Sequence, residues 1–199
     1  MHKPAITQVA INETIANRWS GRAYDAAHVV SHEQIIALLE AARWAPSCFG
    51  DQPWRFLVWN KNADASSWQQ AFDCLGESNQ TWVKNAPVLF LVCADTLFNH
   101  NQKANRWAQY DSGAAAENLC LQATSMGLMA HQMGGFDADA ARTAFAIPAQ
   151  YTPMAMLALG YPAAISSLEG DILSRETAPR TRRPLNDLFF AGSWGRPVV

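Results

Sequence analysis

The sequence predicts one domain over residues 1–199 that combines helices with a buried sheet, in either an α+β or a three-layer α/β arrangement. Three short apolar runs, Phe56–Trp59, Val88–Ala94 and Met154–Gly160, have the length of strands and are bounded by proline or glycine. Such runs are typical of strands that are buried on both faces and share one sheet. Helical patterns separate the runs and also follow one another at both ends of the chain, so both arrangements stay open.

The composition predicts a folded core and limits the kinds of partner. Of the 199 residues, 49% are hydrophobic and only 16% are charged, which excludes general disorder. With 15 Lys and Arg against 17 Asp and Glu, the net charge of −2 offers no broad basic field for nucleic acid or an acidic membrane, so any anion site must be local. The stretch Trp107–Met133 carries several polar residues and falls short of the roughly 18–20 apolar residues that a membrane span requires. Four scattered cysteines without a C-x-x-C motif favour a reducing, cytoplasmic location.

Two helices are predicted in the first quarter of the chain. Apolar residues at near-helical spacing predict a first helix over Ala5–Trp19. Ser31 followed by Gln34 has the form of a capping box, in which each side chain binds a backbone N–H of the other residue at the start of a helix. Because Pro46 cannot continue a helix, the second helix is expected to end at Ala45.

The second half of the chain contains the longest helical pattern, Trp107–Met126. Its segment Gly113–Ala116 has almost no side-chain bulk, which indicates a central helix that a neighbour such as a second subunit approaches closely. Asp137 is placed to cap a further helix, Ala138–Phe145. The polar segment after the last strand run has little to bury, and we interpret residues Arg180–Val199 as an extension that docks elsewhere.

Two groups of arginines are candidates for an anion site. Arg18 and Arg22 lie four residues apart with the hydroxyl of Ser20 between them, a spacing that can hold a phosphate or a polyol. Each charge-assisted hydrogen bond there would contribute about 1.5–3 kcal/mol. The alternative is that these arginines pair with a helix C-terminus and face solvent. The run Arg180–Arg183 is a second candidate, although such charge runs are more often solvated surface.

Two loops could approach a flat ligand. Segment 45–54 contains two prolines and leads into the first strand, so it is a rigid loop that can present small side chains and backbone donors to a planar ring. Within it, we interpret Cys48 as a buried or ligand-lining thiol, because no histidine lies near it in sequence. Gly134 and Gly135 allow the backbone to approach a ring or a phosphate without an intervening Cβ. An ordinary helix-to-strand connection and an ordinary turn are the alternatives.

Several common catalytic and metal-binding patterns are absent from the sequence. The chain has no G-x-G-x-x-G, P-loop or G-x-S-x-G motif, which argues against a Rossmann dinucleotide site and a serine hydrolase. His28 and His32 have the spacing of a metal pair, but the helix start predicted at Ser31 places them on different faces. No catalytic acid, base or nucleophile and no metal site are therefore predicted.

Taken in order, these segments resemble the nitroreductase family of FMN-dependent oxidoreductases over nearly the whole chain. The R-x-S-x-R element of that family is matched by Arg18, Ser20 and Arg22. Its A-P-S-x-x-N-x-Q-P-W element is matched by residues 45–54, except that Gly50 stands where the family has Asn. The remaining matches are an Asn before an A-P-apolar strand, a small-residue helix, a glycine turn and a late basic pair, here Asn79, Asp111–Gly127, Gly134–Asp137, and Arg180 with Arg182.

The resemblance implies an α+β fold in three layers, with a central mixed sheet flanked by helices and with residues 1–199 as one nitroreductase-like domain. It also implies a homodimer with an extended C-terminal tail that wraps the partner, and with two FMN molecules at the subunit interface. By the same resemblance, the residues that bind FMN are Arg18, Ser20, Arg22, Pro46, Ser47, Cys48, Asn79, Met133, Gly134, Gly135, Arg180 and Arg182.

For function, the resemblance implies an oxidoreductase that passes a hydride from NADH or NADPH through the flavin to a small oxidised substrate, such as a nitroaromatic or a quinone, in ping-pong order. Because the cofactor carries the reaction, no catalytic side chain is required. The expected partners are the nicotinamide, a small-molecule substrate and a second subunit, and neither nucleic acid nor a membrane. The alternative is a non-catalytic protein that binds a flavin or a nucleotide with its ring face covered.

Overall fold

The computed structural model describes residues 3–199, which form seven α-helices and four strands. The helices are α1 (Glu13–Asn17), α2 (His32–Arg43), α3 (Ala65–Asp73), α4 (Glu77–Val83), α5 (Ala108–Ser125), α6 (Ala138–Ala144) and α7 (Gly170–Thr177). The strands are β1 (Trp54–Asn60), β2 (Val88–Asp95), β3 (Met129–Met133) and β4 (Tyr151–Gly160). Within this part of the chain, no helix is both long and apolar enough to cross a membrane.

The four strands form one sheet in the order β1-β2-β4-β3, and each neighbouring pair is antiparallel. The three apolar runs predicted as strands correspond to β1, β2 and β4, so the prediction that they share a sheet is confirmed. The expectation of a mixed sheet is wrong for residues 3–199. Helix α5 returns the chain so that β3 runs in the same direction as β2, but β4 lies between these two strands and runs opposite to both. No hydrogen-bonded pair of these strands is therefore parallel.

The sheet separates two hydrophobic cores and produces three layers. On one face, α2 and α5 pack against side chains that include Trp54, Phe90 and Leu157. On the other face, α3, α4 and α6 pack against side chains that include Trp59 and Met156. All eight residues of the inner strand β2 are buried, as expected for a strand covered on both faces, whereas the edge strand β1 is only partly buried. The architecture is therefore α+β with the sheet between two layers of helices.

Helix α2 begins as the sequence predicts. The Ser31 hydroxyl accepts a hydrogen bond from the Gln34 N–H at 3.1 Å, and the Gln34 side-chain oxygen accepts one from the Ser31 N–H at 2.9 Å, which is the capping box. The helix ends at Arg43, two residues before the predicted end at Ala45. Pro46 explains the early end, because it lacks the N–H for another helical hydrogen bond and keeps the preceding residue out of the helical conformation.

The first helix is much shorter than the predicted range Ala5–Trp19. Asn12 begins α1 by accepting a hydrogen bond from the Thr14 N–H at 2.9 Å. The apolar residues that suggested an earlier start are not held by a core, since Ile6 is 91% and Val9 is 73% exposed. Without tertiary packing, a short amphipathic segment has little to stabilise it as a helix.

Helix α5 agrees with the predicted pattern Trp107–Met126, and its small residues lie on two different sides of the helix. Ala115 and Ala116 are buried against the sheet, whereas a Cβ on Gly113 would meet open space. One side of α5 thus supports the fold while part of the other is open.

Helix α6 begins as predicted, because the Asp137 side chain accepts hydrogen bonds from the first N–H groups of the helix at 2.9–3.0 Å.

Helix α7 lies in the segment where the sequence predicts little burial. Leu168, just before it, is buried, and Ile172 packs at the margin of the core on the α3 side of the sheet. The buried polar residue of α7 is Glu176, which lies against the loop that contains Arg22. A charged side chain therefore contributes to docking this helix.

Candidate functional site

The two ends of the chain meet at Arg180. One guanidinium nitrogen of Arg180 donates to the carbonyls of Lys3 at 2.6 Å and Ala16 at 2.9 Å, and the other donates to the carbonyl of Arg18 at 3.0 Å. The guanidinium of Arg18 in turn lies 3.4 Å from the Ser20 hydroxyl. Residues from both predicted arginine groups are therefore adjacent in the fold.

Electrostatics in this region favour an anion. Burial lowers the pKa of Arg180, and the positive charges of Arg18 and Arg182 lower it further. Arg183 instead pairs with Asp187 at 3.6 Å on an exposed turn. Arg182, not Arg183, is thus the second member of the predicted late pair that acts on Arg180. Bringing guanidinium groups together without a full set of counter-charges is unfavourable, and a bound anion would relieve it.

Arg22 lies beside buried aromatic residues of the same region. Its guanidinium is 5.9 Å from the ring centre of Trp82, and that ring is 4.5 Å from the ring of His131. The pKa of His131 is lowered to about 4, mainly by burial and also by the charges of Arg22 and Arg18, while a hydrogen bond to Gly21 acts in the opposite direction. His131 is therefore neutral at pH 7, and its Nδ1–H donates to the Gly21 carbonyl at 2.9 Å. We call Arg18, Arg22, Arg180 and Arg182 the basic cluster.

Two glutamates partly neutralise the basic cluster. Glu117 on α5 lies 3.2 Å from Nε of Arg18 and accepts a hydrogen bond from the Gln132 side chain at 3.3 Å. Glu176 on α7 lies 3.8 Å from a guanidinium nitrogen of Arg22. Glu117 is partly exposed, whereas the Glu176 side chain is 2% exposed. The four arginines thus have two nearby carboxylates, which leaves positive charge available to a ligand.

The glycine turn and Asn79 form one structural unit. The Asn79 side-chain amide donates to the Gly135 carbonyl at 2.9 Å, and the Gly76 N–H donates to the same carbonyl at 3.0 Å. A Cβ on Gly135 would lie 2.9 Å from the Asn79 amide nitrogen, so a larger residue at this position would displace the Asn79 amide. Met133, the last residue of β3, is buried, and Gly134 and Gly135 are exposed just beyond it.

The predicted loop Pro46, Ser47 and Cys48 is organised by hydrogen bonds of its own. The Ser47 hydroxyl accepts the Gln52 N–H at 3.0 Å, which closes the turn. The Cys48 N–H donates to a carboxylate oxygen of Asp111 at 2.9 Å, and Asp111 is buried near the start of α5. Pro46 is exposed while Ser47 and Cys48 are half-buried, so the loop offers a small-residue surface anchored to α5.

An aromatic recess lies next to that loop. Phe49 has a left-handed backbone (φ 57°) and is 82% exposed, with its ring edge-on to Phe98 at 5.8 Å and to His100 at 5.4 Å. Asp51 accepts a hydrogen bond from the Asn99 N–H at 2.9 Å and so ties the two walls together. The open recess between them has a volume of about 440 Å³. A flat ligand could lie against these rings.

The predicted site residues come together as two groups. The first group contains the basic cluster, Ser20, Asn79 and the glycine turn. Strand β3 connects these parts, because it carries His131 next to the basic cluster and leads into the glycine turn that binds Asn79. The second is the loop Pro46–Cys48. Both groups touch α5, at Glu117 and Asp111, which are about 9 Å apart along the helix axis. Among residues 3–199, no hydrogen bond, ion pair or ring contact joins the two groups directly.

Sequence reasoning missed five residues that support the site. Glu117 and Asp111 interrupt an apolar helical pattern, and such buried or half-buried carboxylates are a usable signal of a polar contact. Trp82 and His131 carry no local signal that separates them from core residues. Glu176 lies 154 positions from Arg22, so no local pattern could pair them.

Comparison with known proteins decides the family. Residues 15–161 match the model of the Nitroreductase family, which is more than half of the chain. The chain belongs to the nitroreductase family. The resemblance carried by the sequence motifs is thereby confirmed. The matched range includes the Arg18–Arg22 loop, the Pro46–Cys48 loop, Asn79 and the glycine turn, and it ends before Arg180.

Relatives and a solved structure agree with this assignment. An uncharacterised 15.4 kDa protein of Mycolicibacterium smegmatis is 33% identical over 149 residues, covering 72% of this chain and 99% of that protein. A protein of Methanothermobacter thermautotrophicus, named for NADH dehydrogenase and NAD(P)H nitroreductase activity, is 30% identical over 164 residues, covering 79% and 80%. The crystal structure of an oxidoreductase containing FMN is similar with a TM-score of 0.89 and 34% identity over 96% of both chains. The nitroreductase fold therefore extends to nearly all of this chain.

Proposed function

We propose that this member of the nitroreductase family is an FMN-dependent oxidoreductase that transfers a hydride from NADH or NADPH to a small oxidised substrate, such as a nitroaromatic or a quinone, in ping-pong order. The observation that carries the proposal is the basic cluster, because Arg180 binds the main chain of Arg18, the Arg18 guanidinium reaches Ser20, and the charges of Arg18 and Arg182 act on Arg180. The FMN named for the similar crystal structure and the NAD(P)H named for the Methanothermobacter relative support it.

The residues present fit FMN. The basic cluster and Ser20 would hold its phosphate and ribityl chain, because planar guanidinium groups match phosphate oxygens. Asn79, Met133, Gly134 and Gly135 would lie along the ring, where glycine keeps the backbone open to a close approach. When bound, FMN supplies a ring that accepts a hydride from a reduced nicotinamide and passes it on.

The contribution of this chain is to bind and orient. The Asn79 amide and the Gly76 N–H both hold the Gly135 carbonyl, so the turn is fixed before any ligand arrives. The Asp111 carboxylate likewise fixes the backbone of Cys48. A surface held rigidly in this way can receive a flat ring with little loss of conformational freedom in the protein.

We also propose that the active form is a homodimer with two FMN sites at its interface. Gly113 on α5 is open to a close neighbour, and Tyr110 on the same helix is 77% exposed, which suits a helix pair across a two-fold axis. The basic cluster of one subunit and the Pro46–Cys48 loop of its partner would complete each site, and the C-terminal tail would wrap the partner. Sedimentation equilibrium tests this, and a monomer that binds FMN fully would contradict it.

An anaerobic absorption experiment tests the proposed activity. Purified protein loaded with FMN should show a flavin spectrum that bleaches when NADH or NADPH is added and recovers when a nitroaromatic or a quinone follows. A flavin spectrum that neither nicotinamide bleaches would favour the alternative, a non-catalytic flavin-binding protein. Failure to take up FMN would refute both.

A further inference from the structure

The Glu176 side chain is buried under the loop that carries Arg22. Glu176 is 1% exposed, although it lies on the polar helix α7. One of its carboxylate oxygens accepts hydrogen bonds from the N–H groups of Arg22 at 2.9 Å and Ala23 at 3.3 Å. The other lies 3.0 Å from the Arg22 N–H and 3.8 Å from the Arg22 guanidinium. A single carboxylate thus holds both the backbone and the charged end of Arg22.

The space around this carboxylate leaves the loop little freedom. A Cβ on Gly21 would lie 3.1 Å from a Glu176 oxygen and 2.2 Å from the sulfur of Met129, so only glycine fits. His131 holds the Gly21 carbonyl at 2.9 Å, and the Ala163 N–H holds the Ala23 carbonyl at 2.8 Å. The loop is therefore fixed from three sides, and Glu176 is the side that also faces the guanidinium.

Glu176 is in turn tied to the segment that supplies Arg180. The Lys3 ammonium donates to the main-chain carbonyls of Glu176 and Ala178, both at 2.6 Å. Arg180, two residues further on, donates to the carbonyl of Lys3. The same short stretch therefore carries the carboxylate that orients Arg22 and an arginine of the basic cluster.

We propose that Glu176 is a positioning residue for the anion site, which keeps the Arg22 guanidinium aimed at the phosphate of FMN. This inference rests on the proposed function. A carboxylate that accepts hydrogen bonds from the loop N–H groups and attracts the guanidinium restricts Arg22 to few conformations. A restricted donor loses less conformational freedom when it binds an anion. Glu176 thus acts on the ligand through Arg22, without touching it.

The substitution Glu176→Gln removes the charge of the carboxylate and keeps one acceptor oxygen. The remaining amide oxygen can still accept the backbone N–H groups of Arg22 and Ala23. The amide NH₂ replaces the oxygen that lies beside the guanidinium and 3.0 Å from the Arg22 N–H, so a donor faces both donors and the attraction to the guanidinium is lost. The part of this loss that acts through the backbone should weaken riboflavin as well as FMN. Glu169→Gln is the matched control, because Glu169 is exposed at the start of the same helix and its side chain makes no capping hydrogen bond.

The readout is the ratio of the affinities for FMN and riboflavin, measured by fluorescence titration of the apoprotein. Riboflavin shares the ring but lacks the phosphate, so a loss of general structure weakens both ligands while a loss of phosphate contact weakens only FMN. We expect Glu176→Gln to raise the Kd for FMN about tenfold and the Kd for riboflavin less than about threefold. In an Arg22→Ala background the same substitution should leave the ratio unchanged.

Each other outcome overturns the proposal. Equal losses for FMN and riboflavin would make Glu176 a structural residue only, and unchanged affinities for both ligands would remove its effect on Arg22. Wild-type protein that prefers FMN to riboflavin supports the phosphate assignment in either case, whereas wild-type protein without that preference refutes the assignment and this inference together. If Glu176→Gln does not fold, amide hydrogen exchange on the wild-type protein tests the proposal instead. The proposal then requires that FMN, but not riboflavin, slow the exchange of residues 21–23 and of residues 170–180.

Discussion

Replacing Arg180 by alanine should destabilise the protein even without a ligand, because its guanidinium joins three main-chain carbonyls, those of Lys3, Ala16 and Arg18. Hydrogen bonds to a charged group contribute about 1.5–3 kcal/mol each when buried. The Arg180 side chain is only partly buried, and water can reach some of these carbonyls after truncation. We therefore expect a total loss of about 2–4 kcal/mol in the free energy of unfolding, well below the sum of three buried bonds.

Urea unfolding of the apoprotein, followed by tryptophan fluorescence, measures this loss. Arg183→Ala is the matched control, because Arg183 is an exposed neighbour whose ion pair with Asp187 should contribute less than about 0.5 kcal/mol. Arg180→Lys should recover less than half of the stability, since a compact ammonium cannot reach all three carbonyls. If Arg180→Ala cost no more than the control, the two chain ends would not be held together by this residue.

Three further predictions concern the cofactor site and pH. Arg22→Ala should raise the Kd for FMN by about ten- to a hundredfold, so that the dialysed protein is nearly colourless; retention of FMN would exclude Arg22 from the phosphate site. Gly135→Ala should lower the free energy of unfolding by about 1–3 kcal/mol, because the new Cβ displaces the Asn79 amide, whereas Gly134→Ala meets open space and should be near neutral; equal urea midpoints would contradict this. Because the pKa of His131 is lowered to about 4 in the fold, the unfolded chain binds its proton first, and the free energy of unfolding should fall by up to about 3 kcal/mol as the pH falls from 6.5 to 4. His131→Asn, which keeps a donor near the Gly21 carbonyl, should remove that part of the pH dependence in urea titrations; an unchanged slope would show that His131 does not cause it.

Local signals in the sequence predicted those elements that local physics determines. The capping box of Ser31 and Gln34 and the cap at Asp137 require only residues a few positions apart, and both are present. The predicted helix Ala5–Trp19 failed because its apolar face has no core to pack against. Strand β3 and the antiparallel order of the sheet depend on which strand inserts between which, and periodicity contains no such information.

The same distinction applies to the site. The fold brings only some of the residues named by the motifs near one another: Asn79 binds the Gly135 carbonyl and Arg180 binds the Arg18 carbonyl, whereas the Pro46–Cys48 loop stays apart from both. Among the residues that hold these groups in place, Glu117 and Asp111 carry a local signal as carboxylates in an apolar helical pattern, but their partners lie far away in the sequence and could not be predicted. Glu176 is the clearest case, since a glutamate in a polar helix has no local sign of burial until the loop of Arg22 closes over it.

This arrangement links cofactor binding to the stability of the chain ends. Arg180 holds the N-terminal segment through three carbonyls, yet its positive charge is disfavoured by burial and further by Arg18 and Arg182 nearby. An anion bound among these guanidinium groups would remove that repulsion and strengthen the same contacts. A ligand that binds only the folded chain stabilises it by about 2.7 kcal/mol at a hundred times its Kd. Because the repulsion is concentrated around Arg180, most of this gain in stability should appear there rather than in the sheet, whose inner strand β2 is already fully buried.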